Sequence, residues 1–420
     1  MHIKMVFFET FPYEIILEIY FKLTLIERFY FSKLNKQYYK IFNPMRFAGS
    51  PFILKNKLNN LFEKNILIKN VDNFNEINFF NNKNFFDEMI VFAFKNFIIE
   101  NKFKLDFIIF DTYHITALAQ NQSDKFMFKI MVYDKNKKNG INDCKNHINV
   151  DLIISKLFNQ FEINKLTPHI INSIAKFHTD IKFINDIQIN NENHRFTHKQ
   201  IETYDNFFRK FNENQFDKLG SILIMEYSGS DLKTFINDNW ESLTLKHWII
   251  IFFQILHCLA IIQEKFPSFK HNELKPISIF VQNINVNTNC FKYKLGKFKF
   301  IIPNINIQIK ITDFDFSSID GIIENNLVNT DWANKISINK KLNRYTDIFF
   351  FFNCLMSRSF IFEPLKIIPT KIIEFIKRIV PSDFIFTNRG RLIDEIEYTT
   401  PYKILTEDPL FEIFRKQPSK

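Results

Sequence analysis

Two charged clusters set against apolar strands constrain this chain more than any other feature. The first, Lys270-His271-Asn272-Glu273-Leu274-Lys275-Pro276-Ile277-Ser278, runs straight into apolar Ile279-Phe280-Val281. The second, Thr312-Asp313-Phe314-Asp315, follows Ile309-Lys310-Ile311. A third charge, Lys129, lies inside Phe126-Met-Phe-Lys129-Ile-Met-Val132. A charge in or beside a buried strand is costly unless it meets a partner, such as a phosphate or an opposite charge. Asp313 and Asp315 are two positions apart, so they share a face if the backbone is extended. Together the three places supply a cation for phosphates, a carboxylate for a metal and a carboxylate near a hydroxyl nucleophile. Phosphoryl transfer needs that combination. Any one of them alone is a solvated loop charge.

Hydropathy places these clusters on elements. Phe107–Phe110, Phe126–Val132 and Ser221–Met225 are short β-prone runs around polar turns. Asn149–Phe161 has helical character, and Leu245–Lys265 is expected to be an amphipathic helix. Within the latter, the apolar stretch Trp248–Ile262 is broken by Gln254 and His257, too short and too polar to span a bilayer. The residues around Asn283–Gln308 are expected to fold as a hairpin. No basic run stands out, although Lys+Arg 55 against Asp+Glu 45 leaves +10. Lys, Asn, Ile and Phe are inflated together, as AT-rich coding would produce, so a nucleic-acid partner ranks last among the functions considered. Four cysteines with no Cys-x-x-Cys pair suit a reduced, intracellular protein, and the broken apolar stretch suits a soluble one without a membrane partner. Cys144-Lys-Asn-His147 is only half of a zinc spacing.

The first 46 residues suggest a separate helical module. Pro12 suits a first helical turn, Ile15, Ile16, Ile19 and Leu23 share one face, and Thr24-Leu-Ile-Glu27 has the form of a capping box. Phe11-Pro12-Tyr13-Glu14-Ile15 and Leu34-Asn-Lys-Gln-Tyr-Tyr39 resemble the opening and closing stretches of an F-box. The resemblance implies that Pro12, Ile15, Ile16 and Leu23 face a Skp1-like adaptor of a host ubiquitin ligase. Residues 47–100 would then form a helical linker.

From residue 101 to 420 the ordered motifs resemble protein kinases. Lys129 resembles the strand lysine, Thr167-Pro-His-Ile170 the segment after the αC helix, and Ile224-Met-Glu-Tyr227 the hinge. His271-Asn-Glu-Leu-Lys-Pro276 stands for the catalytic loop and Asp313-Phe-Asp315 for Asp-Phe-Gly. Asn343-Arg-Tyr-Thr-Asp347 and Arg389-Gly-Arg-Leu392 are similar to phrases in the kinase-like proteins of large DNA viruses such as mimiviruses. The implied fold class is α+β. A small all-α F-box-like module precedes a two-lobed kinase-like domain, with a β-rich N-lobe at about 101–226 and a mainly helical C-lobe at about 232–420.

The resemblance also implies roles, with ATP and Mg²⁺ as cofactors and a protein substrate whose identity it does not give. Lys129 would hold phosphates, with Asp151 as its ion partner, and Glu226 and Tyr227 would line the nucleotide. Asp313 and Ser278 would ligate metal, Glu273 would be the base, and Lys275 would neutralise the transferring phosphoryl group. Asp347 would brace the catalytic loop. Three departures pull the other way, towards a pseudokinase F-box receptor without phosphotransfer. Residues 111–124 hold no glycine to cover phosphates, Glu273 is one methylene longer than the usual Asp, and Ser278 replaces an Asn.

Overall fold

The computed structural model describes residues 104–110, 113–122, 125–136, 140–186, 198–335, 338, 343–357, 367–382, 391–392 and 397–415. The F-box-like module, the linker and the residues Pro12, Ile15, Ile16 and Leu23 lie outside them. The described chain falls into two compact units. The first takes its residues from 104–132 and 174–226, the second from 133–173 and 227–415. Helix α1 (His147–Ile163) belongs to the second unit and α2 (His198–Asn212) to the first.

The first unit is built on one sheet of β1 (Lys104–Phe110), β2 (His114–Gln120), β3 (Lys125–Met131), β4 (Ser173–Asp180) and β5 (Leu219–Glu226), in the order β1-β2-β3-β5-β4. Pairing is antiparallel from β1 to β2, β2 to β3 and β3 to β5. A register shift between Phe107 and Ile109 interrupts the β1–β2 ladder. Strand β3 is buried from Phe126 to Met131, without the alternation of a half-exposed strand. Residues of both faces are buried, which explains the continuous apolar run.

The second unit is mainly helical. After β6 (Ser230–Asp231) come α3 (Leu232–Asn239) and α4 (Leu245–Lys265). The polar turn before α3 depends on Gly229 at φ +79°, where an added Cβ would lie 2.1 Å from the Val281 carbonyl oxygen. Asp231 then caps α3, its carboxylate accepting from the Thr234 N–H at 3.0 Å. Strands β7 (Phe269–Lys270) and β8 (Ile279–Asn283) flank the first charged cluster. The segment around Asn283–Gln308 contains the expected hairpin, β9 (Cys290–Leu295) against β10 (Phe298–Pro303). β11 (Ile307–Ile311) pairs with β8, and β12 (Ser318–Ile319) pairs with β7. Helices α5 (Asp331–Lys335), α6 (Thr346–Leu355), α7 (Thr370–Ile379) and α8 (Pro401–Glu407) follow.

Helix α4 corrects the expectation of an amphipathic helix. Every residue from Trp248 to Gln263 is buried. Its polar side chains bond inside the unit. Gln254 accepts from the Ile309 N–H at 2.8 Å, His257 Nε2 meets the Lys294 carbonyl at 3.2 Å, and Gln263 donates to the Arg344 carbonyl at 3.4 Å. Over its full 21 residues α4 is also long and apolar enough to cross a membrane, contrary to the reading of its core stretch. Its burial is that of a central helix around which the other elements pack.

Candidate functional site

The loop between β7 and β8 is fixed mainly by backbone groups that reach distant side chains. Asp347, in the first turn of α6, accepts from the His271 N–H at 2.7 Å and the Asn272 N–H at 2.8 Å. It is 2% exposed. Burial raises its pKa, while His271, the two N–H groups and Lys270 favour its charged form. Asn272 adopts φ +62°, a left-handed conformation that Asn tolerates better than most residues. Its side-chain amide donates to the Phe316 carbonyl at 2.9 Å. His271 Nε2 donates to the Thr312 carbonyl at 3.0 Å, and its Nδ1 accepts from the Glu273 N–H, so the two bonds select the tautomer. Lys270 is buried beneath the loop, which pushes its pKa down to about 8 against the pull of Asp347 and Asp320.

Glu273 lies at the head of this loop with both carboxylate oxygens engaged. Lys275 pairs with Oε1 and Arg391 with Oε2. The Glu273 side chain keeps 14% exposure, against 23% for Lys275 and 5% for Arg391. Arg391 also donates to the Asn272 carbonyl, and its guanidinium carbon sits 4.2 Å from the centre of the Phe350 ring. Burial draws its pKa down to about 10, so it remains a cation at neutral pH. The Ser278 hydroxyl donates to the Glu273 carbonyl at 3.2 Å and closes the loop.

The second cluster joins the first through one backbone bond, from the Thr312 N–H to the Ser278 carbonyl at 3.0 Å. β11 ends at Ile311, and Asp313 adopts φ +70°. The expected alternation therefore fails, because Asp313 and Asp315 do not continue an extended strand. Asp313 is half-buried and Asp315 is buried. Helix α1 holds the intervening Phe314 by backbone and ring. Asp151 accepts the Phe314 N–H at 3.0 Å, and the Phe158 ring meets the Phe314 ring edge-on at 5.3 Å.

Glu273, Lys275, Ser278 and Asp313 are thus gathered within the second unit, with Asp151 and Tyr227 in the same unit. The Tyr227 carbonyl accepts from Gln282 at 3.4 Å. Lys129 and Glu226 belong to the first unit. Lys129 sits mid-strand, opposite Thr116 and Leu223, and Glu226 ends β5 opposite Phe126; both are buried. The role of Arg391 was missing from the sequence reading, which used Arg389-Gly-Arg-Leu392 only as a phrase. A basic residue 119 positions from the loop it bonds carries no local signal.

This architecture is mixed α/β and compatible with a protein-kinase-like fold, and the site combines carboxylates and cations on two adjoining loops. Comparison with known proteins gives the class a family. One protein of Acanthamoeba polyphaga mimivirus, described as a "putative serine/threonine-protein kinase", is 40% identical over 331 residues, covering 74% of this chain and 69% of the relative. A second mimivirus protein of the same description is 28% identical over 193 residues, 40% of this chain and 48% of its own length. The chain belongs to this mimivirus family of serine/threonine-protein-kinase-like proteins. No protein-family model matches it.

Proposed function

We propose that the chain is a serine/threonine protein kinase that transfers the ATP γ-phosphate to a protein hydroxyl. The observation that carries the reading is the loop 271–278. A carboxylate and an ammonium stand together on it, its backbone is held by Asp347, and it is bonded to the segment carrying Asp313. Glu273 takes the substrate hydroxyl's proton as its oxygen bonds to the γ-phosphorus and the bond to the β–γ bridging oxygen breaks, releasing ADP. Lys275 turns from Glu273 towards the transferring group, where its charge offsets the developing negative charge. In this reading Lys129 is assigned to the α- and β-phosphates, and Glu226 and Tyr227 to the nucleotide.

The donor set suits Mg²⁺, which prefers hard oxygen and is commonly held by one or two carboxylates together with phosphates and water. Among the described residues no group of three or more His, Cys, Asp and Glu is placed to hold a metal. Asp313 would be the carboxylate ligand and Ser278 a weaker neutral one. When bound, the ion supplies positive charge across the phosphates.

The test compares Mg-ATP binding and phosphotransfer in the native protein, Lys129→Met, Asp313→Ala and Glu273→Gln. The first two variants should lose thermal stabilisation by ATP. Glu273→Gln should keep ATP binding and lose transfer, since an amide cannot take the proton. Native protein that binds Mg-ATP without transferring phosphate would select the pseudokinase receptor. Residues 1–46 recruit a Skp1-like adaptor through Pro12, Ile15, Ile16 and Leu23, supported by their F-box-like pattern. Adaptor capture that is unchanged in a Pro12→Ala, Ile16→Asp variant would refute that part.

A further inference from the structure

Resting on the reading of Glu273 as the base, we infer that Arg391 is the positioning residue that adapts this site to a glutamate. A glutamate has one more rotatable bond than the aspartate usual in such a loop, and its carboxylate samples a wider volume. Reacting groups misplaced by about 1 Å lose about a hundredfold in rate. A longer base therefore needs an external hold, and Arg391 has the geometry for one.

Arg391 is itself fixed before it touches Glu273. Its guanidinium lies over the Phe350 ring at 4.2 Å, a cation–π contact, and it donates to the Asn272 carbonyl. The guanidinium then donates a hydrogen bond to the carbonyl of residue 272 and forms an ion pair with the carboxylate of residue 273. The direction of the side chain is thereby tied to the backbone that carries it.

The two cations on Glu273 are not equivalent. Lys275 is the more exposed and its stem is flexible, so it can leave Oε1 for a phosphoryl group. Arg391, with 5% side-chain exposure and two further anchors, stays on Oε2. A shorter side chain at 273 would withdraw from it. Glu273→Asp, which restores the commoner length, therefore breaks the hold here and slows the reaction.

The experiment is a double-mutant cycle on the full chain with Glu273→Asp and Arg391→Met, with Arg391→Lys as the conservative variant. Arg391→Met should lower kcat about a hundredfold and leave KM for ATP unchanged. Arg391→Lys should recover part of the loss. In the Glu273→Asp background Arg391→Met should cost less than about twofold, because the contact is already gone. Additive losses, or an unchanged kcat in Arg391→Met, would overturn the inference.

A second arm needs no turnover and decides alone if none is seen. Carbodiimide labelling of Glu273, followed by peptide mass spectrometry, should be slow in the native protein and about tenfold faster in Arg391→Met. Glu397, paired with Arg344, serves as the fold control and should not change. Equal labelling of Glu273 in both proteins overturns the inference. If Glu397 labelling also rises, Arg391→Lys is read instead: intermediate labelling supports the hold, and native-level labelling overturns it. Glu273→Gln that retains transfer would remove the base reading while the labelling arm still judged the contact.

Discussion

The loop 271–278 and the hairpin 290–303 lie in the same unit but are held by different physics. The hairpin keeps its own register, pairing Phe298 with Leu295 through Pro303 with Cys290 across a two-residue turn. A buried ring cluster then seats it. Tyr293 stacks on His169 at 5.5 Å, meets His257 at 4.9 Å and bonds His169 Nε2 at 3.0 Å. The loop has no ladder of its own. Asp347, Arg391 and Thr312 fix it from far along the chain. A ladder needs only neighbouring sequence, whereas a loop held from outside fails as soon as one distant side chain changes.

The sharpest way to break the contrast is Asp347→Ala. It would strand two buried N–H groups at 271 and 272 and should destabilise the protein by about 3–5 kcal/mol, read from the urea midpoint. Loss of under about 1 kcal/mol would mean that the loop holds itself as the hairpin does.

The second effect falls on the hairpin's seat. Burial lowers the pKa of His257 to about 4 and that of His169 well below 6.5, with His257 and Lys310 adding to the latter shift. The unfolded chain, with histidines near 6.5, takes up protons that the folded chain refuses. Stability contributed by these rings is complete above pH 6.5 and is lost as pH falls towards 4. His257 alone should account for about 3 kcal/mol over that window. Urea midpoints measured at pH 7, 5.5 and 4 should show the fall, and His257→Phe should flatten it. A slope unaffected by that substitution would place the acid sensitivity elsewhere.

The smallest effect concerns the hairpin's turn. Gly296 sits at φ +54°, with Tyr402 the nearest group to an added Cβ at 3.3 Å. Gly296→Ala should cost about 1 kcal/mol and leave any phosphotransfer rate unchanged. A change in that rate would show that the hairpin and the loop are coupled after all.

Much of the site was legible because its residues break local rules. Glu273 and Lys275 announce themselves as charges against an apolar strand, and Lys129 as a charge within one. The same rule was incomplete at α4, where Gln254 and His257 counted only as interruptions of an apolar stretch. They are instead internal partners of Ile309 and Lys294. Polarity in a sequence marks a need for a partner but does not say whether that partner is water or protein. Asp313 and Asp315 failed for a related reason. Alternation holds only while the strand lasts, and β11 had already ended at Ile311.

Local sequence accounts for the elements and their chemistry: short strands from apolar runs, a long helix over residues 245–265, and Lys129, Glu273, Lys275 and Asp313 at the clusters that matter. These follow from periodicity and from the cost of burying charge, both readable within about a dozen residues. Which groups Glu273 meets, which backbone amides Asp347 holds and where Asp151 points are settled by the folded chain. Apart from the Lys275 pair, those contacts join residues 75 to 163 positions apart. A hydrogen bond or ion pair acts over a few ångströms of space and has no fixed range along the chain, so no local pattern records it.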